Sequence, residues 1–248
     1  MYFHTPKHVY LTYFNDEIVA LNLKKDQYII LSKELSEILG LILNNKFELV
    51  SGKYQLSISN CEKVILPSNF YDNLKYFQEI DILCKHTFNY PNSKFINKKK
   101  PSAGASNVDW KIEYGDLDKK VSKWLVLEAY YSLIKVYFIL KVFGFYSLIK
   151  VIKRKNNSKF QKRNLKEFNI LVTALNRACF YYPVRTKCLE WSAALAMLAL
   201  KRRWKCNIEI GVQNLPFVAH AWVKSNGKVI ADTENLPKTL SVILSEPF

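Results

Sequence analysis

Apolar positions along this chain change period, and the changes divide it. In the first strand-like run Tyr10, Thr12 and Phe14 alternate with Val9, Leu11 and Tyr13. Residues 18–23 and 28–31 form two further runs, with Asn15-Asp16 and Lys24-Lys25-Asp26 between them. Short runs rich in β-branched and aromatic residues, bounded by turn formers, predict three strands. Ser32 then stands where a helix would be capped, ahead of Leu35, Ile38, Leu39 and Ile42 at spacings of three and four. A second helical stripe, Phe70, Leu74, Phe77 and Ile80, closes the unit. The reading is a domain over residues 1–90. Periodicity then stops over 91–116, where Pro91, Pro101, Gly104 and a lysine run at 98–100 mark a linker.

A second domain is expected over 117–248. Its first part, to about residue 155, is helical and strongly apolar and predicts two amphipathic helices broken near Gly144. Glu128, Lys135, Lys141 and Lys150 interrupt each apolar run before the ~18 residues of a membrane span accumulate. These helices are expected to pack on the core, while Trp124, the tyrosines and the lysines keep peripheral membrane contact open. A helix over 165–180 follows, then a break at Tyr181-Tyr182-Pro183, then a helix running from Cys188 to Lys201. Strands are predicted at 208–212, 219–223 and 228–232, the last two flanking an Asn226-Gly227 turn signal.

With 49% hydrophobic residues in 248, each part can bury a core. The net charge of +16 is concentrated: residues 91–163 hold 17 Lys/Arg against 5 Asp/Glu. Such a patch attracts acidic peptides, nucleic acid or anionic membranes. No arginine-rich recognition helix or aromatic RNA-binding motif accompanies it, so nucleic acid is not an expected partner. Met1-Tyr2-Phe3-His4 opens without the basic and apolar regions of a signal peptide, and five irregularly spaced cysteines form neither a zinc pattern nor a disulfide framework. The expectation is a cytoplasmic protein with no metal site.

Cys188 carries the chemistry. A lone cysteine is most often a small buried hydrophobe. This one stands at a helix start, with His220 on one following strand and Asp232 on the next, an order that suits a thiolate nucleophile, a base and an orienting carboxylate. The other histidines, His4, His8 and His86, all lie in the N-terminal part, so Cys–His chemistry in the C-terminal half must use His220. Thr186 is the expected N-cap, placing Cys188 second in the helix. Alternation makes a demand on the hairpin: a two-residue Asn226-Gly227 turn would set position 220 opposite 233 and aim Asp232 at the other face. The reading therefore requires a three-residue loop over Ser225-Asn226-Gly227, with His220 opposite Asp232 and Trp222 opposite Ile230. The backbone N–H of Cys188 is the expected first oxyanion donor; Gln213 reads as a solvated loop residue. This order of residues is that of a papain-like or transglutaminase-like site.

The C-terminal residues resemble the lasso-peptide B proteins of the transglutaminase-like cysteine protease superfamily. The likeness runs through Cys188-Leu189, Ser192-Ala193-Ala194-Leu195, Arg202-Arg203, Ile210-Gly211-Val212, Pro216-Phe217, Ala219-His220-Ala221-Trp222-Val223, Gly227 and Val229-Ile230-Ala231-Asp232, and spans about residues 165–235. Two positions depart from it: Trp204-Lys205 replaces a Gly-Ile type turn, and Ala231 stands where Asn is common. The resemblance implies an α+β protein, with a small three-stranded winged-helix-like N-terminal domain followed by a transglutaminase/papain-like cysteine protease domain. It implies Cys188, His220 and Asp232 as catalytic residues. It also implies a precursor peptide whose leader pairs with the sheet edge at Tyr28, Ile29, Ile30 and Leu31, and a separate asparagine-synthetase-like lasso cyclase as partner. ATP dependence belongs to the fused form of the family, but the chain has no Walker-type loop to hold it. Acyl transfer to an amine, and a non-enzymatic peptide- or nucleic-acid-binding protein, remain as alternatives.

Overall fold

The computed structural model describes residues 2–44, 47–50, 53–56, 69–86, 104, 110–112, 121–155 and 160–247, and divides into two compact units, Met1–Pro101 and Ser102–Phe248. Apart from Gly104 and 110–112, the expected linker at 91–116 lies outside the described residues, as does Cys61.

The first unit begins with β1 (Tyr2–His4), followed by the predicted meander of β2 (Val9–Phe14), β3 (Glu17–Asn22) and β4 (Gln27–Leu31). The meander is antiparallel in the order β2-β3-β4, pairing Phe14 with Glu17 and Asn22 with Gln27. Asn15 and Asp26 occupy the left-handed backbone region at the two turns, a conformation their short polar side chains tolerate. Helix α1 (Lys33–Asn44) starts behind Ser32, whose hydroxyl accepts from Leu35 N–H at 3.4 Å. The sequence reading did not include the next hairpin, β5 (Phe47–Val50) with β6 (Lys53–Leu56). Helix α2 (Phe70–Glu79) buries Phe70, Leu74 and Phe77 as its stripe predicts, and β7 (Cys84–His86) then pairs with β1, a second unforeseen two-stranded sheet. Among the described residues of this unit, three antiparallel sheets therefore stand where one was expected. Val9, Leu11, Ile18, Ala20, Ile38, Leu39, Phe70 and Phe77 share one core. Asp81, after α2, is tied back to the meander by His8 at 2.7 Å and Asn22 at 3.3 Å.

The second unit opens with α3 (Lys123–Phe138), a π turn at Ile139–Phe143, and α4 (Gly144–Arg154). The break falls at Gly144, whose φ of 76° favours glycine. Counting interrupted runs predicts no membrane-length helix. Averaged over a window, however, the path from Lys123 to Arg154 is long and apolar enough to cross one, with a mean hydropathy of 1.6 and 39% of that window buried in the unit. The buried side packs on α5 (Leu165–Tyr181) and α6 (Cys188–Lys201), and Ser132 donates a hydrogen bond to Ala194 O at 3.2 Å. Asn164 and Glu167 cap α5 reciprocally. Helix α6 is the central one: every residue from 191 to 200 is buried, and its alanines permit close approach.

Behind α6 lies an antiparallel sheet in the order β10-β9-β8-β11, made of β8 (Asn207–Gln213), β9 (Val218–Ser225), β10 (Lys228–Ile230) and β11 (Ser241–Glu246). A short helix, α7 (Leu236–Thr239), precedes β11. Between β9 and β10 the sequence expectation fails. Ser225 pairs with Lys228 and Val223 with Ile230, so the loop is the two-residue Asn226-Gly227 turn with both φ angles positive, 50° and 81°. Both residues accept that region readily, and the tight turn follows the right-handed twist of its strands.

Candidate active site

Two elements deliver the reactive side chains. Cys188 is the first residue of α6, behind Lys187 as N-cap, not the second behind Thr186. Glu190 Oε2 accepts from Lys187 N–H at 2.9 Å and anchors the turn that presents the sulfur. His220 lies in β9, opposite Gly211 of β8, and Ser192 Oγ donates to Ala221 O at 2.9 Å, fastening α6 to that strand beside the histidine. Ser192 entered the sequence reading only as part of the resembling run, and this tie did not; its one signal was a polar residue in an apolar helix run.

Asp232 reaches the site despite the tight turn. Strand alternation ends at Ile230, and Ala231 adopts a left-handed φ of 51°. That single reversal swings Asp232 back to the face of His220. Its Oδ2 then lies 2.7 Å from His220 Nε2, while Oδ1 accepts from Thr233 N–H at 2.8 Å. The three residues are brought together, but by a kink after the hairpin rather than by a bulged loop within it.

With Nε2 engaged by Asp232, Nδ1 is the ring nitrogen left for the sulfur, with which His220 is hydrogen-bonded. His220 is 2% exposed, and its ring lies 6.1 Å from that of Trp222. Trp222 is fixed in turn by a 3.0 Å hydrogen bond to the buried Glu209. Room for the indole exists because residue 211 is glycine; a Cβ there would stand 2.5 Å from the Trp222 ring and 2.8 Å from Leu240.

Burial alone would push the Cys188 thiol up. Hydrogen bonds from His220 and from the backbone at Ala221 and Leu189, with the imidazolium charge, outweigh it and hold the thiol below its ordinary value. Burial likewise works to lower His220, but its hydrogen bonds to Asp232 and Cys188 and their charges raise it to about 9. The two shifts both run in the sense that favours a thiolate–imidazolium pair. The other described cysteines go the opposite way, chiefly through burial: Cys84 up, Cys179 to about 11 and Cys206 to about 12.

Gln213 is not solvated. It is 1% exposed, and its amide donates to Pro216 O at 3.0 Å, bracing the β8–β9 loop. That loop exposes Leu215 and Phe217, a few residues upstream of His220. Tyr28, Ile29, Ile30 and Leu31 form most of β4, an outer strand of the three-stranded sheet; Ile30 is exposed and Leu31 buried. Among the described residues no group of three or more His, Cys, Asp or Glu could hold a metal ion. Nor do they include a glycine-rich strand-to-helix loop that would cradle phosphates, so no step below uses ATP.

Residues 131–245, just under half of the chain, match the transglutaminase-like superfamily. A 59-residue stretch is 39% identical to the microcin J25-processing protein McjB of Escherichia coli, covering 24% of this chain and 28% of that protein. No solved structure matches the chain. A thiol lowered at a helix start, beside a histidine on the adjoining sheet, agrees with these likenesses: residues 131–245 carry a transglutaminase-like core domain, with distant and partial homology to a lasso-peptide B protein.

Proposed function

We propose that this protein is a cysteine endopeptidase that binds the leader of a ribosomally made lasso-type precursor and removes it before macrocyclisation. The observation that carries the reading is the lowered Cys188 thiol, hydrogen-bonded to a His220 whose other nitrogen meets Asp232. The Cys188 thiolate attacks the scissile carbonyl carbon, helped by its own backbone N–H at the open end of α6. His220, as imidazolium, gives its proton to the departing amine, and the peptide bond breaks to leave a thioester. Water then adds to the thioester carbonyl, losing a proton to His220 and releasing the leader acid and the Cys188 thiolate. Asp232 keeps the imidazole oriented and its cation favoured. The freed amine would pass to a separate cyclase partner.

Leader recognition is assigned to the N-terminal, winged-helix-like unit, where β4 has an outer edge to which an extended peptide can add as a strand. Leu215 and Phe217 offer apolar contact to residues near the scissile bond. A reducing cytoplasm keeps the unpaired thiol available.

The test is mass spectrometry of a lasso-type precursor peptide incubated with the protein. Two fragments whose masses sum to precursor plus water are expected, with a fall of at least ~10³-fold in rate for Cys188→Ala and retained binding. A covalent adduct to an amine in place of fragments would instead assign acyl transfer. Unchanged behaviour of Cys188→Ala would leave only a binding protein.

A further inference from the structure

The outward face of α3 has no role in the proposed chemistry, yet it exposes a run of large apolar side chains. Trp124, Leu127, Tyr131, Ile134 and Phe138 follow one another at spacings of three and four, and are 81%, 57%, 66%, 41% and 56% exposed. That periodicity places them on one stripe about 21 Å long. The wide π turn beyond it keeps Val142 and Phe143 exposed as well. The four aromatics alone present roughly 400 Å², the size at which an apolar patch marks a contact site. A hollow bordered by Leu127, Tyr130, Ala178 and Tyr181 continues it towards α5.

Charge identifies the occupant. On a helical wheel Lys123 and Lys135 border the stripe on opposite sides, and Lys141 follows it. Residues 121–155 contain seven Lys/Arg and a single acid, Glu128, which is already held by Lys201 and Arg202. Burial, and then the charges of Lys135 and Lys201, lower Lys155, so positive charge gathers at this end of the unit, where Lys153 and Lys201 are paired with Glu246 and Glu128. Protein–protein interfaces are depleted in lysine relative to the rest of the surface, whereas lysines frame this stripe. Here the polar atoms within the stripe are the tips of Trp124 and Tyr131, ring types that favour the boundary between lipid and water. Long lysines at the margins can extend to headgroups while the apolar centre enters the acyl layer.

We infer that the outward face of α3 and the π turn seats this protein on an anionic lipid surface, lying on it rather than crossing it. A spanning helix would have to abandon Ser132–Ala194 and the Glu128 ion pairs. The inference is independent of whether Cys188 cleaves anything.

Flotation of the full chain with vesicles tests it, using phosphatidylcholine alone and phosphatidylcholine with about one-third phosphatidylglycerol. The protein is expected to float with the anionic vesicles, weakly with the neutral ones, and to be released by salt. Trp124→Ser with Phe138→Ser should lower that partition about tenfold or more, while Cys188 alkylation at the parental rate reports an intact unit. Trp124→Phe, which preserves an apolar ring, should still float but lose the blue shift of tryptophan emission seen on anionic vesicles. Absence of flotation, flotation unaffected by the double substitution, or a blue shift that survives Trp124→Phe overturns the inference. So does a stable dimer or protein complex that the double substitution dissolves, for then the stripe is covered by protein.

Discussion

An ordinary thiol is only a few per cent ionised at neutral pH, so the reactivity of Cys188 depends on the groups that hold its anion. His220 and the adjoining backbone lower the thiol, and Asp232, more than Cys188, lifts His220 against its burial to about 9. Because that value lies above the ordinary 6.5, the imidazolium interaction stabilises the fold fully below about pH 6.5 and is lost as pH rises through about 9. The thiol has the opposite sign: its lowered value adds stability at alkaline pH that is lost as pH falls through it. Iodoacetamide should therefore modify Cys188 selectively, with a pH dependence displaced below that of an ordinary thiol. Asp232→Asn should slow it about tenfold or more at pH 7 and return the titration to the ordinary thiol range. Peptide mapping at several pH values measures both, and equal rates in the two proteins would remove Asp232 from the role assigned to it. The identities of these residues were legible because Cys188 opens a predicted helix and His220 stands alone in its half of the chain. Their ionisation was not, since it arises from burial and contacts between residues far apart in sequence.

At the scale of elements, the β9–β10 hairpin shows how a local rule can be right and its consequence wrong. The Asn226-Gly227 signal favours a tight turn, and a tight turn forms. Extending strict alternation beyond it would turn Asp232 away, yet the strand stops at Ile230 and Ala231 reverses the backbone. A non-glycine residue in the left-handed region costs about 1 kcal/mol, least for Asn. Ala231→Asn should thus stabilise the protein by about 0.5–1 kcal/mol in a denaturant titration. Ala231→Val should destabilise it by about 1–2 kcal/mol and slow Cys188 alkylation by displacing Asp232. If valine left both quantities unchanged, the kink would not be what aims the carboxylate. Asn at this position in the resembling family is a hint of that conformation, visible in the sequence reading but not converted into a backbone angle there.

For the molecule as a whole, the two compact units separate two tasks under the proposed function: binding on the β4 edge and cleavage at Cys188. Ile30→Asp puts a charge on an exposed position of the edge strand, where β-addition would bury it. Leader-peptide affinity, followed by fluorescence anisotropy, should fall about tenfold or more, with Cys188 alkylation unchanged. Loss of both together would mean that the substitution damages more than the edge. The sequence by itself determined the meander, the central helices, the Gly144 break and the three candidate residues, because strand and helix periods, turn formers and residue chemistry are local properties. The two small sheets at β1–β7 and β5–β6, the buried role of Gln213, the Ser192 tie, the Ala231 kink and the exposed stripe of α3 were decided by tertiary structure alone. Each depends on what a distant segment covers, pairs with or leaves open, and a one-dimensional pattern of apolar residues does not distinguish a face that meets the core from one that meets something else.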